Sequence, residues 1–496
     1  MQFGTAEKYD AIIVGAGVGG LTAAARLARS GLRVVVLEKN SHYGGTAYVY
    51  SQKGFTFPMG PLGFSSPDLV RDRLRGLGLG HDLEFRPVDY KIRAFGIEAV
   101  VSLPYATLVD ELAGIFPTEE AGLRRFFEDV EKVSSGLERA GSERSMIVSA
   151  GEYLDGVVKD DRLRRILGSI GTRQPSFGFP LLAAMWRLMS DVGIFYPSGG
   201  FSSFCGLLAG AVAGNGEIRL RSEVSGIKAG DGIVRGVILK DGKELEAPTL
   251  ISNADFKTTF LNLLDKKDLP PEWHRAVSAA RQTSSVFQVC LGLDARGVDL
   301  SAFKDASRVI YRGGRGDMPS GADDLAVQEL EICLWSDDDP GLAPEGGAVM
   351  VIRASADYGH FSKFLGRYGR RNPGYADYKM RLAEAVVSEV SNLAPGLAGA
   401  ISVMDVATPL TFEARCGRYG GAVAGWSQDY RDSRDFVLRE LVRTPVSGLY
   451  MAGYQALSWL FTGGVPTAIE SGVRAADALL EGVGPVSEVT VPGQSH

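Results

Sequence analysis

The chain has 496 residues, 45% of them hydrophobic and 23% charged, with a formal net charge of −6. Its length exceeds what one ordinary core accommodates and implies two or three domains, while the acidic balance gives no support to a nucleic-acid partner. The 4 cysteines and 5 histidines are scattered, with no C-x-x-C pair and no ligand-like histidine spacing, which argues against a disulfide framework and a zinc site, so no metal is expected.

The first elements carry the strongest signal. Ala11–Val14 is an apolar run that reads as a buried parallel strand, and it leads directly into Gly15-Ala-Gly17-Val18-Gly19-Gly20. An alanine-rich helix over Leu21–Arg29 follows, closed by Gly31, and a second apolar strand, Val34–Leu37, delivers Glu38. This is a strand–turn–helix–strand unit with a G-x-G-x-x-G turn and an acid at the end of the second strand. Gly15 makes the tight turn, Gly17 lets a pyrophosphate approach the backbone, and Gly20 lets the helix pack close to the strand. The helix N-terminus offers free N–H groups and a positive dipole end. Glu38 can accept hydrogen bonds from a ribose and disfavours a 2′-phosphate. The unit therefore predicts an adenine dinucleotide, NAD or FAD.

Downstream, alternating aromatics around Lys53-Gly54 predict a short hairpin. Residues 67–76 read as a helix, Asp82–Leu103 as short strands, and Ala106–Ile115, Glu119–Leu137 and Gly151–Ile170 as helices, with Leu123, Phe126, Phe127, Val130 and Val133 on one face of the second. Phe177–Phe195 is long and apolar but carries Arg187 and Asp191. It reads either as a buried helix or as one that lines an apolar tunnel or touches a membrane surface. Tyr196–Phe201 is a turn opening a helix at Ser202–Ala213. Glu217–Leu220 and Val224–Ile227 are short strands, and Ile233–Leu239 with Glu244–Ala247 form a hairpin about an Asp-Gly turn. Leu250–Asp255, including Asn253, reads as a strand end returning to a site, and a long amphipathic helix is expected near Tyr378–Leu393. Ser447–Gly453 is a buried strand. The last helix, with Pro466 in its first turn, is expected to bury Ile469, Val473, Ala476 and Leu480.

Two glycine pairs choose between the dinucleotides. Gly44-Gly45 lies just beyond Glu38, and Gly463-Gly464 stands at the start of the last helix. A helix N-terminus there can face the N1–C2=O region of a flavin, a contact an NAD enzyme does not need. The expected cofactor is FAD.

At this point the chain resembles the phytoene desaturase and carotenoid isomerase group within the amine-oxidase-like FAD superfamily. The matching segments are VGAGVGGLTAAARLARSGLRVVVLEK, GGTAYVYSQKGFTFPMGP, YPSGGFSSFCGLLAG, RLRSEVSGI, DGKELEAPTLISNAD and GLYMAGY…GGVPTAIESGVRAADALL, in the family's order over nearly the whole length. The resemblance implies an α/β fold, with a Rossmann-like FAD-binding domain (GR2-type) from 1–70, 196–255 and 405–496. It is interleaved with an α+β substrate-binding domain from 71–195 and 256–404. It implies that Gly15, Gly17, Val18, Gly19 and Gly20 meet the pyrophosphate, and that Glu38 with Lys39 beside it meets the ribose. Gly44, Gly45 and Thr46 would follow the diphosphate, and Met59, Gly60, Pro61 and Leu62 would line the isoalloxazine. Val224 would meet adenine, Asn253 would join the cofactor set, and Gly453, Tyr454, Gly464, Val465 and Ala468 would meet the ribityl and the ring.

Two departures stand out. Thr46 replaces an arginine common in the family, and Tyr454 with the inserted Gln455–Phe461 replaces a short loop, making Trp459 and Phe461 candidates for shaping the pocket. His360, Tyr419 and Trp426 are further pocket candidates, each also readable as structural. The resemblance implies an FAD-dependent oxidoreductase acting on carbon–carbon bonds of an apolar, isoprenoid or polyene substrate, by desaturation, saturation or isomerisation, with an unassigned electron partner. Three alternatives remain open at this level. An amine or amino-acid oxidase would use Arg415 and Arg418 as anion-binding residues, a flavin-bound partner protein would have no turnover, and an NAD(H) dehydrogenase would carry no flavin. No uninterrupted apolar window reaches the ~18–20 residues of a membrane span, and no signal peptide precedes the first strand. The expected setting is cytoplasmic with peripheral membrane contact.

Overall fold

The computed structural model describes residues 7–101, 105–139, 149–169, 178–190, 193–313, 325–427, 441–457 and 464–485. Its centre is a parallel sheet in the order Gly216–Arg219, Val34–Leu37, Ala11–Val14, Thr249–Ser252, Leu449–Met451. The two innermost N-terminal strands are buried at every position, as expected of parallel strands covered on both faces. The first helix spans Val18–Arg29 and starts three residues before the expected Leu21. Gly19 and Gly20 already lie in its first turn, with Gly17 as its N-cap. The last helix, Gly464–Leu480, lies against it.

That contact explains a correction to the expected apolar face of the last helix. Ile469 and Ala476 are fully buried, but Val473 is half-buried and Leu480 is 38% exposed. The close approach is made by Gly472 instead, where an added Cβ would stand on Gly19 O and 2.9 Å from Thr22 Cβ. Small residues, not large ones, define this helix–helix contact, and the C-terminal end of the helix projects beyond it. Glu470, 3% exposed, fastens the same helix to the helix Pro67–Gly76 by accepting from Arg73 Nε at 2.5 Å, and it also accepts from Arg474 Nε, one turn along its own helix, at 2.8 Å. Burial pushes its carboxyl up, but the hydrogen bonds and charges of the two arginines outweigh it and hold the group below the usual range. A carboxylate depressed in the folded state contributes stability above its unfolded value of about 4.3 and loses it as pH falls through the folded value. Glu470→Gln is therefore expected to cost about 1–3 kcal/mol near neutral pH. Its difference from wild type should shrink toward zero in thermal melts carried down to acid pH.

Beside the parallel sheet stands a meander of Val224–Gly230, Ile233–Leu239 and Glu244–Glu246, joined in parallel by Glu7–Lys8. A seven-stranded sheet forms the second large layer, in the order Ile401–Ala407, Ser285–Asp294, Gly347–Ala356, Leu330–Leu334, Arg308–Arg312, Tyr90–Ala94, Ile97–Val101. Its strand Ile401–Ala407 runs across the expected boundary at 404/405. One face is covered by the helix Tyr375–Val390. Phe287, Val289, Leu291 and Leu293 point into that core, while the alternate Cys290 joins the opposite core, as the two-residue period of a strand requires. The opposite face is the floor of the cavity described below.

The expected helices of the middle region are Tyr105–Ile115, Glu120–Arg139, Ala150–Val157, Asp161–Ser169 and Phe179–Ser190. They pack on an aromatic cluster in which Trp186 meets Tyr105, Phe126 and Phe127 at 5.1–6.5 Å between centroids. The apolar stretch 177–195 thus divides into a core helix and the start of the strand Ile194–Pro197. Phe177 and Asp191 lie outside the described residues.

Candidate active site

Between the parallel sheet and the floor sheet lies a cavity of about 860 Å³. Its first end is built by the glycine turn. Gly15 adopts φ +94°, which a side chain would strain. Gly44 N donates to Ala16 O at 2.8 Å, which draws the Gly44-Gly45 turn across the glycine loop until a Cβ on Gly45 would lie 3.0 Å from Gly17 Cα. Asn253, just beyond the strand Thr249–Ser252, fills the space between the glycine loop and Gly453. Its Nδ2 donates to Gly15 O at 3.4 Å, and its amide stands 2.7–2.9 Å from where Cβ atoms of Gly17, Gly19 and Gly453 would be. The first helix has Gly17 as its N-cap, with no side-chain cap and no acid in its first turn, and Gly17, Val18 and Gly19 line the cavity, so its free N–H groups and dipole serve that end.

Glu38 is 5% exposed and fixed by three donors: Ala16 N at 2.8 Å, Asn40 N at 2.9 Å and Asn40 Nδ2 at 2.9 Å. A carboxylate has about four acceptor sites, so capacity remains for a ribose hydroxyl. Lys39, beside it on the cavity rim, is exposed and donates to Ala414 O at 3.2 Å. Along the wall follow Gly44, Gly45, Thr46, Gly60, Pro61, Leu62 and Val224, and from the C-terminal segment Gly453, Tyr454, Gly464, Val465 and Ala468. Burial pushes the Tyr454 hydroxyl up to about 12, against the opposing charge of Arg418.

Most of the residues expected at a cofactor thus share one cavity, and the exceptions have reasons. Gly20 is beneath it: a Cβ there would fall on Gly15 O and 3.1 Å from Asn253 Cβ, so this glycine serves helix–strand packing. Met59 is 5% exposed and not on the wall, which corrects its expected place; its N–H is held by Tyr48 O at 2.9 Å and its side chain turns into the protein. Tyr419 is 44% exposed beneath Lys257 Nζ, 5.2 Å from its ring, and does not line the cavity. His360 is on the surface. Trp426 is a core residue, 2% exposed, donating to Gln455 O at 3.0 Å. Arg418 lines the cavity, whereas Arg415 is exposed and off the wall. Trp459, Phe461 and Gly463 lie outside the described residues.

The other end of the cavity was not anticipated in detail. Leu181 and Met185, one turn apart on the helix Phe179–Ser190, line it together with Ile194 and Leu62. Its floor carries Gln288, Arg353, Glu331 and Tyr90. Arg353 Nε donates to Gln288 Oε1 at 2.8 Å, Arg353 Nη1 lies 3.9 Å from Glu331 Oε2, and Tyr90 donates to Glu331 Oε1 at 3.4 Å. Their signal in the sequence is a long polar side chain in the middle of each of three largely apolar strands: Gln288 in SVFQVCLGLD, Glu331 in LEICL and Arg353 in GAVMVIRASA. A polar side chain on the inner face of an apolar strand must be matched by a partner.

The cradle fits an adenine dinucleotide: an uncapped helix N-terminus, glycines whose Cβ atoms would fill it, and an oriented carboxylate where a ribose belongs. Known proteins agree with this geometry. The model of the flavin containing amine oxidoreductase family matches residues 18–480, and the chain belongs to that family. It is an FAD-dependent oxidoreductase with a Rossmann-like α/β fold. It is 27% identical over 491 residues to a chloroplastic prolycopene isomerase of an Oncidium hybrid cultivar, covering 90% of this chain and 80% of the relative. It is 24% identical over 452 residues to a lycopene-forming phytoene desaturase of a Paracoccus species, covering 83% and 86%. Among solved structures it superposes on a putrescine oxidase double mutant with a TM-score of 0.67 at 16% identity, covering 96% and 99% of the two chains. Cyclohexylamine oxidase from Brevibacterium oxydans gives 0.61 at 14% identity, covering 95% and 99%. These likenesses establish the fold.

Removing the Glu38 carboxylate tests the cradle at one residue. Glu38→Ala loses a charged acceptor and the brace on Ala16 and Asn40. The dissociation constant for FAD, followed by flavin fluorescence, is expected to rise about ten- to a hundredfold.

Proposed function

We propose that this enzyme acts on the carbon–carbon bonds of an apolar polyene of the carotenoid type, by desaturation or isomerisation. The observation that carries the reading is the second end of the cavity, where Leu181, Met185, Ile194 and Leu62 form an apolar wall continuous with the dinucleotide cradle. The names and coverage of the isomerase and desaturase relatives support it. FAD, when bound, supplies hydride or electron-pair chemistry at a carbon–carbon bond.

The chain's own residues hold, orient and shield. The Gly15–Gly19 loop and the N-terminus of the helix Val18–Arg29 hold the pyrophosphate, and Glu38 holds the ribose. Val224 meets the adenine, and Asn253 braces the glycine turns. Gly44, Gly45, Thr46, Gly453, Tyr454, Gly464, Val465 and Ala468 follow the ribityl and the ring. Gly60, Pro61 and Leu62 face the ring beside the apolar wall, which orients a hydrocarbon chain and excludes water.

A substrate of this class reaches the protein from a lipid phase, so peripheral membrane contact belongs to the reading. Among the described residues no helix is long and apolar enough to cross a membrane. The test is incubation of the holoprotein with liposome-dispersed polyenes and, separately, with primary amines in air. Altered polyene with no peroxide from amines supports the reading. Peroxide release from amines with polyene untouched replaces it with an amine oxidase.

A further inference from the structure

Residues 58–62 cross the floor sheet without pairing to any of its strands. The hairpin strand Phe55–Pro58 ends at Pro58, and the chain continues irregularly through Leu62. Three alternate carbonyls of this strap, at 58, 60 and 62, each receive a side-chain donor from the floor. Gln288 Nε2 donates to Pro58 O at 3.0 Å, Arg353 Nη2 donates to Gly60 O, and Arg308 Nη2 donates to Leu62 O at 2.6 Å. Gln288 and Arg353 are register partners on neighbouring strands, and Arg308 lies two strands further across. Strands are spaced about 4.8 Å apart, so these donors span roughly 14 Å, close to the ~13 Å of four extended residues. The strap thus runs crosswise over the sheet, with side chains taking the place of a neighbouring backbone.

The clamp is closed within itself. Gln288 gives its amide N–H to the strap and its oxygen to Arg353 Nε. Each arginine has a carboxylate beside it: Arg353 faces Glu331 at 3.9 Å, and Arg308, fully buried, pairs with Asp338 at 2.6 Å. The charges are balanced, so the arginines act on the strap by holding carbonyls, not by leaving a net field. Gly60, Pro61 and Leu62 line the cavity, as do Gln288 and Arg353.

We infer that Gln288 and Arg353, with Arg308, are positioning residues that set the Gly60–Leu62 wall against the flavin ring and so register the floor to the cofactor. This deepens the proposed function and rests on its placement of the ring beside Gly60–Leu62. The experiment uses purified holoprotein as wild type, Gln288→Leu, Arg353→Met, Arg353→Lys and the Gln288→Leu/Arg353→Lys double variant. The readouts are visible circular dichroism of the bound flavin, its reduction potential against a reference dye, and the FAD dissociation constant, with thermal melts for the fold. Arg353→Lys keeps the charge opposite Glu331 while losing the planar fork, so it preserves a test should Arg353→Met not fold. Each single variant is expected to alter the flavin dichroism and potential and to weaken FAD binding about tenfold, with a double-variant effect smaller than the sum because both act on one network. Folded variants with wild-type dichroism, potential and affinity would overturn the clamp alone. A wild-type protein that takes up no FAD would overturn the clamp and the placement beneath it together.

Discussion

Gly20→Val is expected to yield a protein that purifies without flavin. A Cβ at this position falls on the carbonyl oxygen of Gly15 and 3.1 Å from Asn253 Cβ. Neither the backbone oxygen nor the first side-chain carbon can move without moving the turn that carries it. The helix Val18–Arg29 must lift from the sheet, carrying Gly17 and Gly19 away from their places beside Asn253, Gly45 and Gly453. Overpacking of this kind costs about 1–3 kcal/mol and more where backbone blocks relaxation. It acts directly on the cradle, so FAD affinity should fall at least about a hundredfold. The visible-to-ultraviolet absorbance ratio of the purified protein measures it. Gly210→Ala is the control: a Cβ there meets nothing within 4 Å, and normal flavin content is expected.

Met185→Asp is expected to abolish turnover of a polyene while leaving flavin content intact. Residues four apart share one helix face, and Leu181 and Met185 face the cavity while Leu182, Ala183 and Trp186 are buried in the helical core. The substitution therefore places a carboxylate on the apolar wall without entering that core. Desolvating a charge against a hydrocarbon substrate costs several kcal/mol, which corresponds to a loss of at least about a hundredfold in kcat/KM. Met185→Leu should remain near wild type. Product analysis with the flavin spectrum recorded on the same samples separates loss of substrate binding from loss of cofactor.

The dinucleotide unit was legible because its logic is local. The strand Ala11–Val14, the glycine turn and Glu38 lie within one short stretch, and each residue type has a mechanical reason there. The hairpin at Ile233–Glu246 was legible for the same reason. The floor sheet was not, because its pairings join distant segments: Arg308–Arg312 runs parallel to Tyr90–Ala94, a partner no local pattern announces. Gln288, Glu331 and Arg353 were visible only as isolated polar residues in apolar strands, and nothing in the sequence says that they meet across three strands. Leu480 misled because helical periodicity reports which residues share a face but not where the neighbouring helix ends. Asn253 was expected at the cofactor, but its place as the plug between the glycine loop and Gly453 follows only from the folded backbone.

The central claim is that this flavoprotein works on the carbon–carbon bonds of an apolar polyene. It is tested most directly by anaerobic incubation of the holoprotein with liposome-dispersed polyene, in one arm with the flavin oxidised and in the other with it reduced beforehand, followed by chromatography of the recovered pigment. The account predicts a polyene of altered unsaturation or geometry in at least one arm. Polyene recovered unchanged from both arms, with the same preparation's flavin bleached by a primary amine, would contradict it.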